Sequence, residues 1–269
     1  MFDHFGMNSG CFVPSVGDKR GLTMLSQAKL YNDENRRLAL AKKLETASVH
    51  NIRSNLKYYR KHLDDDATIQ TIIKALTDII VDMKMTDSLN KLLLLEARAR
   101  QLYYSSFPKI VKSEEFEFKT RTKRPPRDPI NALISFGNVF LYNRIAADIW
   151  QSSLDVRIGI IHSTNRGSES LNLDLADIFK PIVVDKVIFT LINRGVINSK
   201  LHFSYEGEAV YLNGEGKTLF LQELEDKLRA QITVGDIQTS YEGLIRREIN
   251  KIYRTVVYGE KYKPFKYQL

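Results

Sequence analysis

Residues 128–150, DPINALISFGNVFLYNRIAADIW, decide the fold class. Asp128 offers a side-chain oxygen to the open N–H groups of a first helical turn, and Pro129 stands at the first helical position, where a missing N–H costs nothing. The helix they open is the most hydrophobic of the chain. Upstream, residues 33–63, DENRRLALAKKLETASVHNIRSNLKYYRKHL, carry acids in the first turn and bases in the last, with no Gly or Pro inside. They predict one long helix with Asn32 as its N-cap. TIQTIIKALTDIIVDM (68–83) and SLNKLLLLEARARQLYYSSF (88–107) repeat their apolar residues at spacings of three and four and predict two more helices, interrupted near KMTD.

After Pro108 the pattern changes. KIVKSEEFEFKTRTKRPPRDP (109–129) mixes charge with two adjacent prolines and predicts a solvated connection or arm whose basic part tracks phosphates. Beyond the 128–150 helix, VRIGIIH (156–162) is short and β-branched, either a strand or a buried turn. LDLADIF (173–179) and IVVDKVIFTLINRG (182–195) read as helices, with Pro181 starting or kinking the second and Gly195 ending it. LHFSYEGEAVYL (201–212) alternates as a hairpin does, and two last helices are expected near residues 217–231 and 239–257. The Gly-rich opening, residues 1–21, reads as a short strand and turns. The expected fold is therefore mainly α: residues 1–31 as a fragmentary β element and linker, residues 32–269 as a helical domain with a small hairpin.

The bulk properties narrow the function. A chain of 269 residues with 43% apolar content is long enough to bury a core. Forty Lys and Arg against 32 Asp and Glu leave a net charge of +8 and a pI near 9.3, which favours a polyanionic partner, nucleic acid or an anionic membrane surface. Cys11 is the single cysteine, which excludes an intramolecular disulfide and a cysteine-based zinc cage and fits a reducing cytoplasm. No apolar run approaches the roughly 18 residues of a spanning helix, and residues 1–10 have neither a basic leader nor an apolar signal core.

Four residues stand out against this background. In residues 157–181, RIGIIHSTNRGSESLNLDLADIFKP, one histidine is followed by Asp174 and Asp177, three apart and hence on one helix face. In residues 88–107, Leu89, Leu92, Leu93, Ala99 and Tyr103 form an apolar stripe on which Glu96 falls, and a carboxylate there needs a cation. Taken singly, each has a plain structural role. Glu96 pairs with its i+4 neighbour Arg100, Asp174 caps a helix, Asp177 is a first-turn acid, and His162 is a hydrogen-bonded histidine at a strand end. Taken together, one imidazole with two or three carboxylates is an oxygen-rich donor set that suits Mg²⁺ or Mn²⁺. Acidic ligands inside a basic protein are what a phosphoryl-transfer enzyme acting on nucleic acid requires.

The order and spacing of several segments resemble a known family. RPPRDPINALISFGNVFLYN, GIIH and LNLDLADIFKPIVVDKVIFTLINRG are similar to the core of the CRISPR-associated integrase-nucleases, the catalytic proteins of spacer acquisition. LEARARQLYY resembles the family's glutamate-bearing helix, and FDHFGMNSGCFVP with Gln27 and Tyr31 resembles its junction between β-domain and helical domain. The resemblance implies a divalent metal, Mg²⁺ or Mn²⁺, held by Glu96, His162 and Asp177, with Asp174 a further catalytic acid. It implies double-stranded DNA as substrate, a homodimer formed through β-domains, and a small ferredoxin-like partner protein. Arg121, Lys123, Arg124 and Arg127 beside the double proline, and Arg166 between His162 and the aspartates, are the expected DNA contacts; a solvated loop kept soluble by charge is the other reading of each. Tail residues Lys261, Lys263 and Lys266 alternate with Tyr262, Phe265 and Tyr267, a pattern for stacking on bases or for packing on the domain. Two departures from the family are visible: Ala97 where Gly usually follows the glutamate, and a β-domain represented only by its last part. The alternative reading is a remnant that binds DNA or a partner without chemistry.

Overall fold

A computed structural model describes residues 21–63, 67–162 and 169–268. The core is helical. α1 (Gly21–Asn32) leads into α2 (Glu34–Arg60), whose N-cap is Asp33; its carboxylate accepts from Arg36 N at 3.0 Å. The predicted cap, Asn32, instead closes α1, because a helix already runs into it and only Asp33 adopts the extended backbone of a cap. α3 (Ala67–Met85) and α4 (Leu89–Ser105, capped by Ser88) follow as expected, then the single turn α5 (Phe107–Ile110).

Residues 111–128 have no regular structure, yet they are not a free arm. Phe116 and Phe118 are buried, alternating with exposed Glu115, Glu117 and Lys119, so the segment is stitched to the core by its aromatic side. α6 (Pro129–Trp150) starts as predicted: Asp128 accepts from Asn131 N at 2.7 Å and Pro129 occupies the first turn. It is buried on most of its surface and packs on α7 (Leu171–Phe179), α8 (Val184–Asn193) and α10 (Tyr241–Tyr258). Gly137 marks its tightest crossing, since a Cβ there would fall 2.6 Å from Val184 Cγ1 and 3.2 Å from Phe220 Cζ.

The 156–162 segment forms no strand; it is a buried turn, with Val156, Ile160 and Ile161 in the core. Pro181 falls in the turn joining α7 to α8, and Gly195 ends α8 at φ +66°, a conformation open to glycine without Cβ strain. β1 (Phe203–Glu206) and β2 (Ala209–Leu212) make the expected antiparallel hairpin, Phe203 facing Leu212. A second hairpin is unexpected from the sequence: β3 (Gln231–Val234) and β4 (Ile237–Ser240) fill the interval between α9 (Gly214–Arg229) and α10. The tail beyond α10 runs extended over the domain, with Tyr262 and Phe265 buried and the three lysines outside. Of the two roles open to those aromatics, packing on the domain is the one observed. Residues 1–20, with the strand and junction read there, lie outside the described residues.

Candidate active site

Three elements carry the acidic cluster. Glu96 sits two turns into α4, Asp174 and Asp177 one turn apart on α7, and His162 at the end of the buried turn that precedes α7. That turn is pinned from the N-terminal helices. Gln27 of α1 donates from Nε2 to Asp155 O and accepts from Asp155 N at 2.8 Å, and Arg37 of α2 donates from Nε to Ile160 O at 2.7 Å. Arg37 in turn stacks on Tyr31, 4.0 Å from its ring centre.

From the other side, Asp174 accepts the backbone N–H groups of Ile160, Ile161 and His162 at 2.5, 3.1 and 3.0 Å. Three successive N–H groups around one carboxylate form an anion nest. The same carboxylate lies 2.7 Å from His162 Nδ1, and because a carboxylate only accepts, Nδ1 carries the proton. The hydrogen bond to Asp174 raises the His162 pKa against the opposing effect of burial. Nε2 is thereby left as the ring nitrogen with a free lone pair. The capping role open to Asp174 in the sequence falls to Ser170 by position, and Asp174 has this different task.

Asp177 is 6% exposed in its side chain and is held by two cations, Lys180 Nζ and Arg100 Nη2, the latter 2.8 Å away as a charge contact without hydrogen-bond alignment. Burial pushes its pKa up, but Arg100 and Lys180 outweigh burial and bring it to about 2. Arg100 Nε also donates to Glu96 Oε1, so one guanidinium spans both carboxylates. The i+4 ion pair read from the sequence is therefore present, and it is part of the cluster rather than an alternative to it. Among the stripe residues, Leu92, Ala99 and Tyr103 are buried, whereas Leu93 is 36% exposed and turns away from the core.

Two members of the site escape a reading of the sequence. Lys180, three residues after Asp177, lies 4.6 Å from the Tyr142 ring centre, and nothing in the local FKP pattern sets it apart from an ordinary turn. Glu45 of α2 is 1% exposed, and its Oε2 has no hydrogen-bond partner. Burial, then Asp177 and Glu96, push its pKa well above the usual carboxylate value. A signal for it exists: it shares a helix face with Ala41, Ser48 and Ile52, all buried. Ser48 and Asn51 on that face donate to Asp177 O and Ile178 O at 3.0 and 2.9 Å, satisfying carbonyls that the end of α7 leaves open.

Glu96, His162 and Asp177 line one cleft of about 770 Å³. Six bases share it: Arg100, Lys119, Arg121, Lys123, Arg124 and Lys180. Arg121 is tied to Asn131 Oδ1 at 2.8 Å and Ser135 Oγ at 2.9 Å. Arg127 is not in the lining; it pairs with Glu208, in the turn before β2, at 3.2 Å. Arg166 lies outside the described residues. Among the described residues, no three His, Cys, Asp or Glu side chains are grouped so as to hold a metal ion, and Arg100 and Lys180 are paired with the two cleft carboxylates. The donor chemistry nonetheless fits a hard divalent cation: two cleft carboxylates and one oriented imidazole, with the orphaned Glu45 oxygen behind them.

Fold and cleft together define a class: a helical protein with an acid–imidazole cluster on the wall of a basic cleft. The model of the family "CRISPR associated protein Cas1" matches residues 1–226. A CRISPR-associated endonuclease of Thermodesulfovibrio yellowstonii is 39% identical over 98% of this chain and 79% of its own length, and one of Clostridium perfringens is 34% identical over 99% and 80%. The solved structure of a CAS1 protein from Thermotoga maritima superposes with a TM-score of 0.83 at 34% identity, covering 99% of this chain and 80% of that one. The chain belongs to the Cas1 family of CRISPR-associated proteins. A casposase bound to integration product shares the fold, with a TM-score of 0.84 at 19% identity over 98% of this chain and 72% of that one. A Cas6-RT-Cas1–Cas2 complex does so at 0.81 and 21%, over 98% and 29%.

Proposed function

We propose that the chain is a divalent-metal-dependent DNA endonuclease and integrase of CRISPR adaptation, inserting captured fragments into the repeat array through attack of a 3′-hydroxyl on a phosphodiester. One observation carries the reading: Glu96, Asp177 and an imidazole oriented by Asp174 face a single cleft lined by bases. Glu96, His162 and Asp177 would hold Mg²⁺ or Mn²⁺, which when bound supplies Lewis-acid stabilisation of charge building on the phosphoryl oxygens. The protein's own residues do the rest. Lys123 and Arg124, with Lys119, hold the phosphate backbone at the mouth of the cleft. Asp174 keeps His162 in one tautomer and one orientation, and Arg100 fixes the spacing of Glu96 and Asp177. In strand transfer one P–O bond forms as another breaks, so no oxidant or energy source is consumed; with water as nucleophile the same site hydrolyses DNA.

Relatives named as endonucleases support the cleavage reading, and neighbours solved as a casposase bound to integration product and as a Cas1–Cas2 complex support DNA and a second protein as partners; the duplex form of the DNA, the homodimer, the ferredoxin-like fold of the partner and the cytoplasmic setting rest on the family resemblance alone. The test is joining of a labelled duplex with 3′-hydroxyl ends into a repeat-bearing plasmid in Mn²⁺. Glu96→Ala and His162→Ala should each abolish it; turnover that survives either substitution overturns the assignment. One observation favours a second reading, binding without chemistry: Arg100 and Lys180 already neutralise the two cleft carboxylates. DNA binding without Mn²⁺-dependent joining or cleavage by the unaltered chain would decide for it.

A further inference from the structure

A second cationic surface lies along α2 and α3, remote from the cleft. A groove of about 530 Å³ is lined by Lys57, Arg60, Lys61 and Lys74, with Asp78 the one acid of its lining among the described residues. Lys57 stands twelve residues beyond Glu45 on the same helix, roughly 18 Å away at 1.5 Å per residue. The arginines are fixed: Arg60 Nη1 donates to Gln70 Oε1, and half-buried Arg53, just behind the groove, reaches Thr77 Oγ1 at 3.0 Å while its Nε has no partner. The lysines are different. Lys57, Lys61 and Lys74 are exposed and have no side-chain partner among the described residues.

Bases at a helix C-terminus ordinarily offset the dipole, which would account for Lys57, Arg60 and Lys61. It does not account for Lys74, in the middle of α3, or for Arg53, two turns before the end of α2. The cations from 53 to 61 span roughly 12 Å of helix, the axial length of three to four phosphates of one DNA strand. A regularly charged backbone matches that spacing; a small anion would need only one point of it.

We propose that this groove is a second nucleic-acid contact, gripping the phosphate backbone of DNA that is engaged in the cleft. The inference rests on DNA as the substrate of the cleft. It is tested with the full chain carrying Lys57→Gln, Lys61→Gln and Lys74→Gln together, by anisotropy on a duplex of about 30 base pairs between about 50 and 200 mM KCl. The slope of log K against log salt should become shallower by about two to three, roughly 0.9 for each phosphate that is no longer neutralised. The melting temperature should stay at the wild-type value, and Mn²⁺-dependent cleavage of a short duplex that fills only the cleft should be unchanged. A wild-type slope in the triple variant overturns the proposal, as does an unchanged slope accompanied by weakened binding of a poly-glutamate peptide, which would make the groove a site for an acidic protein. A shallower slope in a protein whose unaltered form never cleaves leaves the groove standing and removes the catalytic reading instead.

Discussion

Asp174 has every strong acceptor position filled: three backbone N–H groups and the His162 ring converge on it, and its side chain is fully buried. Asp174→Ala leaves all four donors without an acceptor at once. We expect a loss of about 3 kcal/mol or more in stability by denaturant titration, and a 10- to 100-fold higher Mn²⁺ concentration for half-maximal cleavage, the usual consequence of removing the partner of a liganding histidine. The sequence shows Asp174 as an acid one turn from Asp177, and nothing in that spacing says which of the two orients the histidine. Asp185 gives the pH dependence. Burial raises its pKa to about 6, with the Tyr103 hydroxyl bonded to it opposing the shift. Between about pH 4 and 6 the folded state keeps this proton while the unfolded chain has lost it, so stability falls as pH rises through that window and levels off above it. Asp185→Asn, which keeps the acceptor for Tyr103, should remove this slope and raise stability at pH 7 by roughly 3 kcal/mol or less, read from melts across the pH series.

At the scale of elements, α2 connects the site to the tail. Asn51 donates to Ile178 O at the end of α7 and accepts Tyr267 N at 2.7 Å; Phe265 stacks on Phe179, 5.9 Å between ring centres, and Tyr262 donates its hydroxyl to buried Glu248 of α10. Asn51→Ala should cost about 2 to 3 kcal/mol, from two buried groups left unpaired, and should expose the tail to limited proteolysis ahead of the helices. If the tail stays as resistant as in the wild type, its docking does not depend on Asn51. The longer helices are legible in the sequence because long apolar periods, with Asp128 and Gly195 as boundary residues, outweigh local noise; α1, read there as linker, is not. The β3–β4 hairpin is not: strands of four residues offer too few alternations to stand apart from the ends of the flanking helices, and Gly235 at φ +60° is its one clear turn signal.

The whole molecule is a basic body around a small acidic cluster, and this sets its response to cations. Glu45, Glu96 and Asp177 face Arg100 and Lys180, so a divalent ion bound by the folded state alone should stabilise it, by about 2.7 kcal/mol at a hundredfold excess over the dissociation constant. Mn²⁺ should therefore raise the melting temperature of the wild type and not of Glu96→Ala; equal shifts in both would place the ion elsewhere. No helix among the described residues is long and apolar enough to cross a membrane. By itself the sequence determined the helical class, the start of α6 at Asp128 and Pro129 and the residue types of the cluster, because hydrophobic period, capping chemistry and side-chain identity are local properties. Only the tertiary structure decided that Glu45 and Lys180 belong to the cluster, that Arg100 bridges Glu96 to Asp177, and that Arg127 stands apart from Lys123 and Arg124. Those relations join residues from α2, α4 and α7, and they exist only once burial has brought charges distant in the chain within a few ångströms, where each must find a partner.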